Sequence, residues 1–156
     1  MALQPDELGA RSVQNLADQI KLDHFLAAQD NGVYEQALEE IRDGEKRSHW
    51  MWFVFPQIAG LGSSATAKKF ALPNKAAARA FAEHDVLGDR LYEATEAMLE
   101  WAGAMAHEAI LGKVDAMKFR SSMTLFEVAA RDTEPFAQAL DAFWNGSRDE
   151  ETLKRL

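Results

Sequence analysis

The chain has 156 residues, of which 47% are hydrophobic and 27% charged; a globular domain of this size buries about 70% of its unfolded surface. That composition excludes wholesale disorder, and the lack of any cysteine excludes disulfides, thiol catalysis and thiolate metal sites. Seventeen Lys and Arg against 25 Asp and Glu give a net charge of −8, which argues against nucleic acid and anionic lipid as partners.

Residues 1–21 read as an N-terminal extension, partly helical, because Val13, Leu16, Ala17 and Ile20 recur at helical spacing. With Asp6, Glu7 and no apolar core, this extension is not a secretory signal, and a cytoplasmic protein is expected. Residues 22–156 read as a single all-α domain, a multi-helix bundle of about seven to nine helices by its periodicity. Asn31-Gly32 marks a turn between a short helix over Leu22–Gln29 and a second helix. The second carries Tyr34, Ala37, Leu38 and Ile41 on one face and stops at Gly44.

Trp50 to Phe55 is the longest strongly apolar run, far short of the ~20 residues a membrane span needs. Its aromatics suit a strand as well as a helix. A lone strand would leave its backbone groups unpaired, so a helix is expected, with Ser48 as its N-cap. Such a helix is apolar nearly all round and belongs in the middle of the bundle, with His49 and Gln57 as polar groups near the interior. Pro56 and Gly60-Leu61-Gly62 then enforce a loop, followed by a short helix from Ser64 to Phe70.

Asn74 can cap an alanine-rich helix from Lys75 to about Glu83. Leu87, Leu91, Ala94, Met98 and Trp101 form the apolar face of a long helix, and Gly112 breaks the next, shorter one. From about Val114 to Arg131, Ala116, Phe119, Met123, Phe126 and Ala130 share a face. Pro135 sits in the first turn of a helix carrying Phe136, Leu140 and Phe143, and Ser147 with Glu150 makes a capping box.

Charge is unevenly spread. From Lys46 to Ala82 there is no Asp or Glu but six cations, Lys46, Arg47, Lys68, Lys69, Lys75 and Arg79. A basic island in an acidic chain focuses a small anion while repelling polyanions; the same residues also fit solvated side chains pairing with acidic neighbours. Gly60 to Ser64 leads into a helix bearing Lys68 and Lys69, a junction that suits a phosphate or equally a plain turn with an N-cap serine. It lacks the endings of a P-loop and of a dinucleotide fingerprint, so no cofactor is expected. Lys118, Ser121 and Ser122 stand together at i, i+3 and i+4, for a ligand or for a tight helix crossing. No serine has a nucleophile-elbow glycine pair, and the four histidines are scattered, so neither a Ser-His hydrolase nor a metal site is expected.

The strings FLAAQD, VYEQALEEIRDGEKRSHWMWFVFPQIAGLGSS, HDVLGDRLYEA and KVDAMKFRSSMTLFEVA resemble the family known as domain of unknown function 1810, some members of which carry a calpastatin label. The resemblance covers about four fifths of the chain and implies a multi-helical fold of this length with no established reaction. It singles out Gln29, Lys46, Ser48, His49, Gln57, Ser64, Lys118, Ser121 and Ser122 as characteristic polar positions. Phe70 stands where relatives commonly have tyrosine. The calpastatin label carries no weight, since calpain inhibitors are long disordered repeat proteins.

Two functions follow from the sequence. In the first, the domain binds a small anionic metabolite, phosphate-containing and nucleotide- or ADP-ribose-like, with or without catalysis. Lys46 and Lys118 hold the anion with the Gly62 to Ser64 amides. Ser48 and Trp50 flank it, and Gln57, Ser121 and Ser122 orient the ligand. His49 is the general acid/base candidate. In the second, the domain is a non-enzymatic structural or protein-interaction module whose polar motif residues are buried packing groups. Nothing in the sequence sets the oligomeric state.

Overall fold

The computed structural model describes residues 22–156. These form ten helices, slightly more than expected: α1 over residues 22–29, α2 Val33–Arg42, α3 Met51–Val54, α4 Ala65–Lys69, α5 Lys75–Glu83, α6 Leu87–Leu99, α7 His107–Leu111, α8 Lys113–Ala129, α9 Glu134–Trp144 and α10 Glu150–Leu153. The stripe from Val13 to Ile20 lies outside the described residues. Among the described residues no helix is long and apolar enough to cross a membrane.

Most boundaries follow from local chemistry. Asn74 and Ser64 cap α5 and α4 by accepting from the backbone N–H of Ala77 and Ala67. Gly44, at φ 73°, closes α2 in the left-handed region. Gly112, at φ 84°, ends α7 and opens α8. Pro135 occupies the first turn of α9. At the C-terminus the cap is not the expected Ser147. Asp149 accepts from the N–H of Thr152 instead, while the Ser147 hydroxyl accepts from Arg120.

The apolar run departs furthest from expectation. Only Met51–Val54 is helical, a single turn with Trp50 at its N-cap position. Pro56 disfavours the α region for the residue before it, and Phe55 turns out of the helix at φ −122°, ψ 73°. Ser48 is therefore not a cap, and His49 is exposed rather than interior. The chain beyond makes one parallel bridge, Ile58 to Leu72, with Leu72 N–H donating to Gln57 O at 2.9 Å and Ala59 N–H to Leu72 O at 2.8 Å.

The helix enclosed on nearly all sides is α8, which packs against α5, α7, α9 and α10 and buries Phe119, Met123, Leu125 and Phe126 completely. Phe119 meets Phe55 edge to face at 4.8 Å, so the aromatic run is anchored to α8 even though it does not form the central helix. At the crossing of α5 and α6, Gly88 is buried. A Cβ there would lie 2.1 Å from the Ala82 carbonyl oxygen.

Two hydroxyls inside α8 have acceptors: Thr124 donates to Arg120 O one turn back, and Ser121 shares its one proton between Met117 O and Asp149 Oδ2. Ser122 has none. Its hydroxyl is fully buried and has no hydrogen-bond partner among the described residues. Ser122→Ala is expected to leave stability unchanged or to raise it by up to about 1 kcal/mol, because it removes an unpaired polar group and improves helix propensity. Urea unfolding checks this, and a loss larger than 1 kcal/mol would show that the hydroxyl has a partner.

Candidate functional site

The segment between α2 and α3 is organised by one buried side chain. Glu40 is fully buried on α2, and its carboxylate accepts from the backbone N–H of Arg47 and Ser48 at 2.6 and 2.8 Å. It also accepts from the Ser48 hydroxyl at 2.5 Å, Trp50 Nε1 at 3.0 Å and Gln36 Nε2 at 2.9 Å. Burial alone would raise its pKa, but the hydrogen bonds from Ser48, Trp50, the Arg47 backbone and Gln36 outweigh that and bring it down to about 2. Ser48 and Trp50 are thus committed to folding the turn, and Trp50, 1% exposed, offers no ring to a ligand.

This turn delivers Lys46 to α8. Lys46 Nζ lies 2.8 Å from Asp115 Oδ2 and donates to Ser48 O at 2.6 Å, over the Trp50 ring at 5.2 Å. Lys118, one turn beyond Asp115, lies 3.1 Å from its other oxygen. The two lysines therefore do converge, but on a carboxylate of this chain. Burial pushes the Asp115 pKa up, and the two ammonium groups more than reverse that, holding it below the usual range. Two cations on one anion leave the cluster with a surplus positive charge. Lys46 is enclosed and its donors are occupied. Lys118 sits 3.6 Å over the Trp52 ring, at the edge of open space.

That space is a groove of ≈ 290 Å³ between the glycine loop, α8 and α10, lined by Trp52, Gln57 and Gly62 on one side and by Lys118, Ser121, Asp149 and Glu151 on the other, with Glu151 paired to Lys154 and Arg155. Leu61, Val114 and Met117 form its apolar rim, and the last two are 69% and 50% exposed. Asp149 Oδ2 accepts from Ser121 Oγ at 3.0 Å, Thr152 Oγ1 at 2.6 Å and Thr152 N–H at 3.2 Å. Its backbone N–H donates to Thr124 Oγ1 at 3.0 Å. These bonds fix α10 to α8 and leave Asp149 Oδ1 without a partner among the described residues. A smaller cavity of ≈ 120 Å³ adjoins the groove and shares Trp52, Gln57 and Gly62 with it.

Of the residues marked in the sequence, Gln57, Gly62, Lys118 and Ser121 line the groove. Ser122 lies inside the core, Ser64 is occupied as the cap of α4, and Lys46, Ser48 and Trp50 belong to the turn behind Lys118. His49 lines neither cavity. The basic island is half neutralised. Lys46 pairs with Asp115, Arg47 with Asp43 and Glu45, and Arg79 with Glu83. Sequence reasoning missed Glu40, Asp115 and Asp149, and it placed the whole run from Trp50 to Phe55 in the middle of the bundle, whereas Trp52 is half-buried at the groove. The i, i+3 spacing of Asp115 and Lys118 was the one local signal that could have found the cluster.

A family model described as a protein of unknown function (DUF1810) matches residues 19–156. The chain belongs to this family. The family fold is also seen in the crystal structure of the conserved hypothetical protein Rv1873 from Mycobacterium tuberculosis, which is 41% identical with a TM-score of 0.83. The match covers 86% of this chain and 95% of that one. No curated protein matches. Within the DUF1810 fold as this chain builds it, the groove joins residues from two of the strings that carried the resemblance, Trp52 and Gln57 from SHWMWFVFPQ and Lys118 and Ser121 from MKFRSSMTLF.

Proposed function

We propose that this protein binds a small anionic metabolite in the Trp52–Lys118 groove, with the anionic group at Lys118 and hydroxyl groups at Asp149 and Ser121. The observation that carries the reading is the placement of the Lys118 ammonium over Trp52 with Asp149 on the facing wall. An ammonium has three donors. Asp115 takes one and the Trp52 face a second, which leaves one for a ligand oxygen. Lys46 offsets the charge of Asp115, so the charge of Lys118 remains for the ligand. The open Asp149 oxygen accepts from a sugar-type hydroxyl as carboxylates do at ribose sites. Phosphorylated sugars and nucleotides combine both requirements. This reading gives His49 no role, and it moves Lys46 from contacting the anion to positioning Asp115.

Part of the motif supports the structural alternative. Ser48 and Trp50 donate to the buried Glu40 carboxylate and Ser122 lies inside the core, which favours a packing role for these three.

A thermal-shift panel of inorganic phosphate, sugar phosphates, NAD, ADP-ribose and ATP tests the proposal. A ligand at 100 times its Kd adds about 2.7 kcal/mol, a Tm rise of roughly 5–10 °C here. The hit should vanish in Lys118→Ala and Trp52→Ala while His49→Ala, at an exposed position, keeps it. Silence across the panel, or a hit that Lys118→Ala retains, overturns the assignment.

A further inference from the structure

The smaller cavity beside the groove has its own chemistry. Its lining is more polar than that of the groove, and none of that polarity is acidic. All of its walls come from the stretch between Lys46 and Ala82 that holds no Asp or Glu, whereas the groove includes Asp149 and Glu151. Three side chains that carry donors line the cavity, Trp52 from α3, Gln57 from the loop and Lys68 from α4. None of the three donates to an acceptor among the described residues. The walls are held by backbone packing. A Cβ at Gly62 would lie 2.7 Å from the Ala67 Cβ, and the Ile58–Leu72 bridge ties the same loop to the chain after α4.

Positive charge gathers at this cavity. Lys68 is exposed and pairs with no carboxylate among the described residues. A Cβ at Gly60 would lie 2.8 Å from Arg155 Nε, so the guanidinium packs directly against a residue of the cavity wall. Arg155 and Lys154 share the single carboxylate of Glu151, which leaves one positive charge in surplus there. A cleft with cations and no carboxylate at its walls concentrates an anion.

We infer that this cavity seats a phosphate group, and that the groove ligand is a sugar carrying two phosphates, one at Lys118 and the other at Lys68. The inference rests on the groove reading above and narrows its ligand class. Size sets the upper limit on the occupant. A cavity of about 150 Å³ takes a benzene, and ≈ 120 Å³ takes a smaller group, of the size of an oxyanion. Donors arriving from three elements suit the tetrahedral oxygens of phosphate better than a planar carboxylate. Trp52 and Gln57 line both spaces, so one short ligand passes from the first to the second along the Gln57 carboxamide.

Titration calorimetry on the full chain tests this with ribose 5-phosphate against ribose 1,5-bisphosphate and fructose 6-phosphate against fructose 1,6-bisphosphate. In at least one pair the bisphosphate should bind about tenfold or more tighter than its monophosphate. Lys68→Ala, at an exposed helical position that suits alanine, should bring that ratio close to one and leave monophosphate affinity unchanged. Lys75 belongs to the same basic stretch but lines neither space, so Lys75→Ala should keep the ratio. Equal affinities within both pairs, a ratio that survives Lys68→Ala, or one that Lys75→Ala lowers as much would overturn the phosphate seat. The groove reading fails separately, when the monophosphates do not bind or bind regardless of Lys118→Ala, and that outcome removes the bridging ligand with it.

Discussion

Glu40→Ala is expected to destabilise the protein by about 3 kcal/mol or more, lowering Tm by roughly 10 °C. The substitution deletes the one acceptor shared by two backbone N–H groups, the Ser48 hydroxyl, the Trp50 indole and Gln36, and no other group is placed to receive them. Glu40→Gln should be nearly as damaging, because its amide nitrogen would face donors. The effect has a pH signature. Glu40 has a folded-state pKa of about 2 against an ordinary 4.5, so its stabilisation is complete above pH 4.5 and is lost as pH falls toward 2. The amount is about 3 kcal/mol. Urea midpoints measured from pH 6 to pH 2 should therefore fall more steeply in the wild type than in Glu40→Gln. Parallel slopes would show that the carboxylate is not held ionised by its donors. Asp115, whose pKa is also lowered, falls in both proteins and cancels from the comparison.

Gly88→Ala should cost about 3 kcal/mol although alanine is the better helix former by roughly 1 kcal/mol. Propensity loses here because the new methyl group would meet the Ala82 carbonyl oxygen at 2.1 Å. That atom is backbone and has no rotamer by which to withdraw, so α5 and α6 must separate along the whole crossing. Denaturant unfolding decides the sign. A stabilised Gly88→Ala would mean that the two helices can part without disturbing Phe81 and Leu87, both fully buried next to the contact.

The helical class and most helix ends were legible because they depend on neighbours in sequence. Asn74, Ser64, Gly44, Gly112 and Pro135 each act within one turn. Trp50 to Phe55 was not legible in the same way. A run without polar positions has no period to read, and its length was set by Pro56. The C-terminal cap was misassigned between two plausible residues. Asp149 wins because its carboxylate also receives Ser121 from α8, a tertiary partner that spacing alone does not show. The same reason hid the centre of the site. Lys46 meets Asp115 across sixty-nine positions of sequence, a pairing no local pattern encodes. Glu40 was concealed differently. On the helical wheel it sits at the margin of an apolar face, where glutamate is ordinarily a solvated residue.

The bonds that fix α10 to α8 bear on what a bound ligand would change. That wall of the groove is one four-residue turn, held chiefly by Asp149 and by the fully buried Thr152. A turn so short lies at the low end of local unfolding free energies. None of the large core rings Phe119, Phe126 and Phe136 belongs to it. In the groove reading proposed above, a molecule bridging Lys118 and Asp149 would tie that turn to α8 and raise its local stability.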